Sequence, residues 1–166
     1  MQNMKSPWLL IGLISGSFAV ASLILTSWLG LHPCHLCIFQ RLLFMLIAVL
    51  GLMAALNRDH RPAGGLVLLS AAVGAGAAGY QSWLQTLPAG TLSCVSGEPG
   101  LIERLVEWLG QQAPALFLAT GFCENEELVI LGLSLANWAL FAFLACLFAA
   151  GALLARRSTA SKGESL

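Results

Sequence analysis

The sequence predicts an all-α integral membrane protein, a bundle of four spanning helices, and three observations carry that expectation. Of the 166 residues, 58% are hydrophobic and only 10% are charged, against roughly 45–50% and about 25% in a soluble domain. Four apolar stretches, about 8–29, 38–56, 64–84 and 131–155, each approach the ~20 residues that a helix rising ~1.5 Å per residue needs to cross a ~30 Å hydrocarbon core. None shows the alternation of a membrane barrel strand, and open sheet edges are excluded from lipid. The chain therefore reads as a single four-span domain covering residues 1–166.

The first stretch follows Lys5, as a secretory leader would, but its apolar run exceeds the usual 7–15 residues and has no clear Ala-x-Ala cleavage site. It is read as a spanning helix. The charges then set the orientation. Lys5, Arg58, Arg61, Arg156, Arg157 and Lys162 fall at the N-terminus, in the link of about 57–63, or in the C-terminal tail, and the positive-inside rule puts all three in the cytoplasm. A short loop of about 30–37 and a long one of about 85–130 then face outward, away from the cytoplasm. The long loop holds Glu98, Glu103, Glu107, Glu124, Glu126 and Glu127 against the single base Arg104.

The second stretch opens with PCHLCIFQR, residues 33–41. In the third, Gly74, Ala75, Ala78 and Gly79 are small enough for neighbouring helices to approach closely. Within the long loop, LIERLVEWLG places Leu101, Ile102, Leu105, Val106 and Leu109 on one helical face and Glu103, Arg104 and Glu107 on the other. A short amphipathic helix is expected there, lying in the membrane interface with Trp108 near the headgroups or packed on the tops of the spanning helices. The flanking Gly-, Pro- and Ser-rich arms, which carry Cys94 and Cys123, read as mobile turns.

Four of the five cysteines, Cys34, Cys37, Cys94 and Cys123, lie in or beside the outward segments, where disulfides persist. Their spacing admits three chemistries. A metal site would need a second close pair, which the interval from Cys94 to Cys123 does not supply, so no metal is expected. Structural disulfides would staple the loop, although a Cys-x-x-Cys bridge closes too small a ring to stabilise much. Redox chemistry also explains the neighbours. At a helix N-terminus the thiolate is favoured, and Arg41 follows Cys37 by one turn, where an arginine at the edge of a span is itself a functional signal. Cys146, deep in the last stretch, reads as a small hydrophobe. A membrane dithiol must pass on its electrons, and the chain has neither a haem-attachment motif nor a nucleotide fingerprint. By elimination a lipid-soluble quinone is the acceptor, with Arg41 beside it. No feature points to nucleic acid.

PCHLCIFQR at the outer start of the second helix, WLQTLP before Cys94, PGL and EW in the loop and LGLSLANW opening the last span occur in one order that resembles the bacterial disulfide bond formation protein B (DsbB) family over most of the chain. The resemblance implies a quinone-dependent thiol oxidase of the inner membrane that reoxidises a periplasmic, thioredoxin-fold partner of DsbA type. It implies that Cys94 takes the partner's attack with Cys123 as its loop mate and that Cys123 exchanges with Cys34. Cys37 then meets ubiquinone, or menaquinone, with the help of Arg41. Many members carry a histidine, often after an arginine, where this chain has Tyr80 and Gln81, so the quinone pocket is expected to be tuned differently. Vitamin K epoxide reductase-like proteins are the near alternative, but in them the loop pair precedes the Cys-x-x-Cys. A non-enzymatic membrane protein with structural disulfides is the alternative of another class.

Overall fold

The computed structural model describes residues 5–57, 60–87, 100–123 and 128–163. Helix α1 covers Lys5–Leu29, α2 His35–Leu56, α3 Arg61–Leu84 and α6 Leu135–Gly163. Each contains a window long and apolar enough to cross a membrane. Between α3 and α6 lie two short helices, α4 (Leu101–Gln112) and α5 (Pro114–Phe117), and a two-stranded hairpin of β1 (Val129–Ile130) and β2 (Leu133–Ser134). The protein is a helical membrane bundle in which α1 packs on α2, α2 on α3 and α3 on α6.

Local chemistry sets the helix ends. Gly30 takes φ 61° just past α1, and Leu31 N–H donates to Thr26 O at 3.2 Å, the 6→1 closure of a Schellman motif. Pro62 stands in the first turn of α3, where its missing N–H costs nothing. The last spanning helix starts later than the stretch of about 131–155 expected for it. Leu131 (φ 55°) and Gly132 (φ 79°) form the two-residue turn of the hairpin, with Ile130 opposite Leu133, the type I′ arrangement that needs positive φ at both central residues. Ser134 Oγ then accepts Asn137 N–H at 3.4 Å and caps α6.

Small residues let the helices touch. A Cβ on Gly51 would come within 2.9 Å of the Gly12 backbone, so α1 and α2 cross almost backbone to backbone. At Gly74 a side chain would overlap the ring of Phe143, which is fully buried. Gly79, expected in the same role, meets only Leu140 at 4.0 Å. Phe143 stacks on Phe44 (4.0 Å between centroids, 10°) and Phe44 on Phe18 (5.3 Å, 15°), so three rings from α6, α2 and α1 form a shelf across the bundle.

Helix α4 is amphipathic, as its spacing predicts, but its apolar residues divide. Val106 and Gly110 are buried, and Ile102 packs against the cluster of Cys34, Leu36 and Leu84. Leu101, Leu105 and Trp108 remain exposed. The helix thus rests on the bundle by one strip and presents a second, apolar one outward.

Candidate redox site at the start of helix α2

The cysteines gather where α2 begins. Cys34 is the N-cap, with extended backbone (φ −81°, ψ 170°), and its sulfur accepts Cys37 N–H at 3.4 Å. Cys34 Sγ and Cys37 Sγ are free thiols 3.2 Å apart. The first turn of a helix has unpaired N–H groups and a partial positive charge, which favour a thiolate.

A third sulfur joins them from the loop. Thr120 N–H and Gly121 N–H both donate to Pro33 O, at 2.9 and 3.2 Å. Gly121 presses so closely on the His32 carbonyl that a side chain there would overlap it. The Gly-Phe-Cys segment read as a mobile turn is therefore pinned to the residues that precede α2. This brings Cys123 into hydrogen-bonding contact with Cys34, and its sulfur also accepts the backbone N–H of Leu36. Donation from Cys34 and then from Leu36 holds the Cys123 thiol below its ordinary value, against burial, which pushes it up. Cys34, whose single S–H is within reach of both Cys123 and Cys37 and which is itself buried, has its thiol pushed up. Cys94 lies outside the described residues.

Arg41 is 3% exposed and so does not snorkel to the headgroups. Its Nε donates to Ser22 Oγ at 3.1 Å. Its Nη2 donates to Thr26 Oγ1 at 2.8 Å and Ser22 O at 3.4 Å, and its Nη1 to Leu116 O at 2.9 Å. All four acceptors are neutral, so these bonds fix the guanidinium without cancelling its charge. They also tie α2 to α1 and to the loop end at α5.

Two glutamines complete the site, neither of them a site residue expected from spacing. Gln81 Nε2 donates to Cys37 Sγ at 3.0 Å and to Cys34 Sγ at 3.5 Å, while Gln40 Nε2 donates to Gln81 Oε1 at 2.8 Å. A polar residue inside a span was the available signal for Gln40 and Gln81, as it was for Arg41. The histidine of the motif, His35, turns away toward α4, with Nε2 3.9 Å from Glu107 Oε1. Cys146 is also apart, in the bundle core 3.6 Å from Ser15 Oγ.

These groups border a cavity of about 320 Å³, within the size range of small-molecule sites. Phe18, Phe44, Phe122 and Trp138 supply flat apolar walls, and Cys37, Gln40, Arg41 and Gln81 converge on one side. A planar, lipid-soluble carbonyl compound fits that division: aromatic shelf for its ring, N–H donors for its oxygen, a thiol at its edge.

A model of the family "Disulfide bond formation protein DsbB" matches residues 4–153. The disulfide bond formation protein B of Dechloromonas aromatica (strain RCB) is 40% identical over 155 residues, covering 90% of this chain and 88% of the relative. Those of Azoarcus sp. (strain BH72) and Nitrosomonas europaea are each 34% identical, over 94% and 95% of this chain and 96% and 98% of their own lengths. With near full-length matches to relatives of one description, this chain belongs to the DsbB family of membrane proteins.

Proposed function

We propose that the protein is a thiol:quinone oxidoreductase of the bacterial inner membrane that reoxidises a periplasmic thioredoxin-fold protein of DsbA type. Family membership supports the coarser part of this reading, a membrane protein of disulfide bond formation. The finer part rests chiefly on one observation: at the start of α2, Cys34 is in contact with both Cys123 and Cys37, and Cys37 opens on the cavity beside Arg41. The basic residues at the opposite end of the bundle support a periplasmic position for this end.

The partner's thiolate attacks Cys94 of a Cys94–Cys123 disulfide; the mixed disulfide forms and Cys123 leaves as thiolate. Cys123 then attacks Cys34 of a Cys34–Cys37 disulfide. The Cys34–Cys123 bond forms, the Cys34–Cys37 bond breaks, and Cys37 departs with the electron pair. Leu36 N–H and the α2 dipole stabilise the attacking sulfur until it reacts. A bound quinone, ubiquinone or menaquinone, supplies a two-electron, two-proton acceptor. Cys37, Arg41, Gln40 and Gln81 would hold it, with the aromatic shelf beneath. Arg41, whose hydrogen-bond acceptors among the described residues are all neutral, places positive charge where negative charge grows.

Purified protein, a reduced thioredoxin-fold partner and ubiquinone or menaquinone test the proposal. Quinone absorbance should fall as partner thiols disappear, Cys37→Ser should abolish turnover, and Cys94→Ser should remove the trapped mixed disulfide. Partner oxidation that proceeds equally without quinone would refute it, and capture of partner by Cys94→Ser but not by Cys123→Ser would reverse the two loop roles.

A further inference from the structure

The only polar side chain that α3 directs at the two α2 sulfurs is neutral, and it is held by another neutral side chain. Gln81 is 3% exposed and Gln40 is 5% exposed, so both amides are withdrawn from bulk water. An unpaired amide in such a place is costly, which makes the Gln40–Gln81 pairing, at 2.8 Å, an orientational constraint. An amide has two faces of opposite chemistry. By donating to Gln81 Oε1, Gln40 occupies the accepting face and leaves the donating face toward Cys37 Sγ at 3.0 Å and Cys34 Sγ at 3.5 Å. Were Gln81 turned over, its oxygen would face sulfur and repel a thiolate.

We propose that Gln81 is a catalytic residue that stabilises the Cys37 thiolate by hydrogen bonding, and that Gln40 is a positioning residue that fixes the Gln81 amide in its donating orientation. The inference rests on the redox reading of this site and adds a role to it. When a thiolate attacks Cys34, the Cys34–Cys37 bond breaks and the electron pair leaves on Cys37, whose charge grows at the end of the Gln81 N–H. The donor is in place before the charge develops, so little reorganisation is needed. Being neutral, the pair assists over the whole physiological pH range and surrenders no proton of its own.

The test uses the full-length chain in detergent with Cys34, Cys94, Cys123 and Cys146 changed to serine, and follows the rate of Cys37 modification by N-ethylmaleimide from pH 6 to pH 10. Among the described residues, the charged or titratable groups near Cys37 in that background are Arg41 and His35 from α2, His32 from the preceding loop, and Glu103 and Glu107 of α4, which packs on α2; the residues of α1, α3 and α6 that line the cavity are neutral. Gln81→Leu should slow modification about tenfold at pH 7, with the deficit closing near pH 10 as all the thiol ionises. Gln40→Leu, which leaves Gln81 in place, should slow it about three- to tenfold, and the double variant should be no slower than Gln81→Leu. A deficit that persists unchanged at pH 10, or profiles that superimpose on the parent, would overturn the proposal. Neither quinone nor partner is in the mixture, so this outcome is independent of the outcome of the turnover assay.

Discussion

The α-carbon of Gly121 lies against the carbonyl oxygen of His32 with no room for a side chain between them. With the bonds from Thr120 and Gly121 to Pro33 O, this contact brings Cys123 to Cys34. Gly121→Val should therefore push the segment off α2 and slow formation of the Cys34–Cys123 disulfide at least tenfold in a Cys37→Ser, Cys94→Ser background. Gly100→Ala is the control, because a Cβ there meets only Glu103 Oε2 at 3.9 Å. Peptide mapping of the oxidised protein reads both.

The Cys123 thiol is held below its ordinary value of 9.0 by donation from Cys34 and from Leu36 N–H. Between the depressed value and 9.0 the undocked segment binds more protons than the docked one. Docking is thus strongest above 9.0 and weakens as pH falls through the depressed value. In the reduced protein, Cys123 should remain reactive toward iodoacetamide below pH 9. Thr120→Pro removes one N–H to Pro33 O and should move that reactivity up toward pH 9.

Arg41 is bonded at once to Ser22, Thr26 and Leu116, a fork that a lysine ammonium does not reproduce. Hydrogen bonds from a charged donor contribute about 1.5–3 kcal/mol each, so Arg41→Lys should raise the apparent KM for ubiquinone roughly tenfold. It should also hasten limited proteolysis between Gln112 and Cys123, because the Leu116 tether is lost. Steady-state kinetics and a protease time course check the two effects separately.

Phe143 fills the space left by Gly74 and carries the stack on Phe44. Phe143→Ala should cost about 3–5 kcal/mol in unfolding free energy, and Gly74→Leu should destabilise comparably by displacing the ring. Denaturant titration in detergent measures both, and loss of quinone affinity should accompany them because Phe44 walls the cavity.

The four spanning helices were legible because hydropathy over twenty residues is a summed, local property, insensitive to any one contact. The start of α6 was not legible to the residue, since Leu131 and Gly132 belong to a turn whose partner strand extends the apolar run without a break. The Cys-x-x-Cys pair and Arg41 stood out by residue type inside an apolar context. Their partners did not. Ser22 and Thr26, four apart on one face of α1, are marked as acceptors for Arg41 only by the packing of α1 on α2. The Leu116 carbonyl, the Gly121 contact and the turn of His35 toward Glu107 depend on where the loop lands. Gln81 was visible as a polar residue in a span and as a departure from the resembled family's pattern, but its bond to Cys37 needed the third dimension.

On the proposed function, Cys37 delivers the electron pair to a quinone in the cavity beside Arg41. Single-turnover mixing of the reduced protein with ubiquinone, in a Cys94→Ser, Cys123→Ser background and without any partner, tests it most directly. One equivalent of quinone should be reduced as the Cys34–Cys37 disulfide forms, and Cys37→Ser should reduce none. Quinone reduction by the Cys37→Ser variant at the parent's rate would contradict the account.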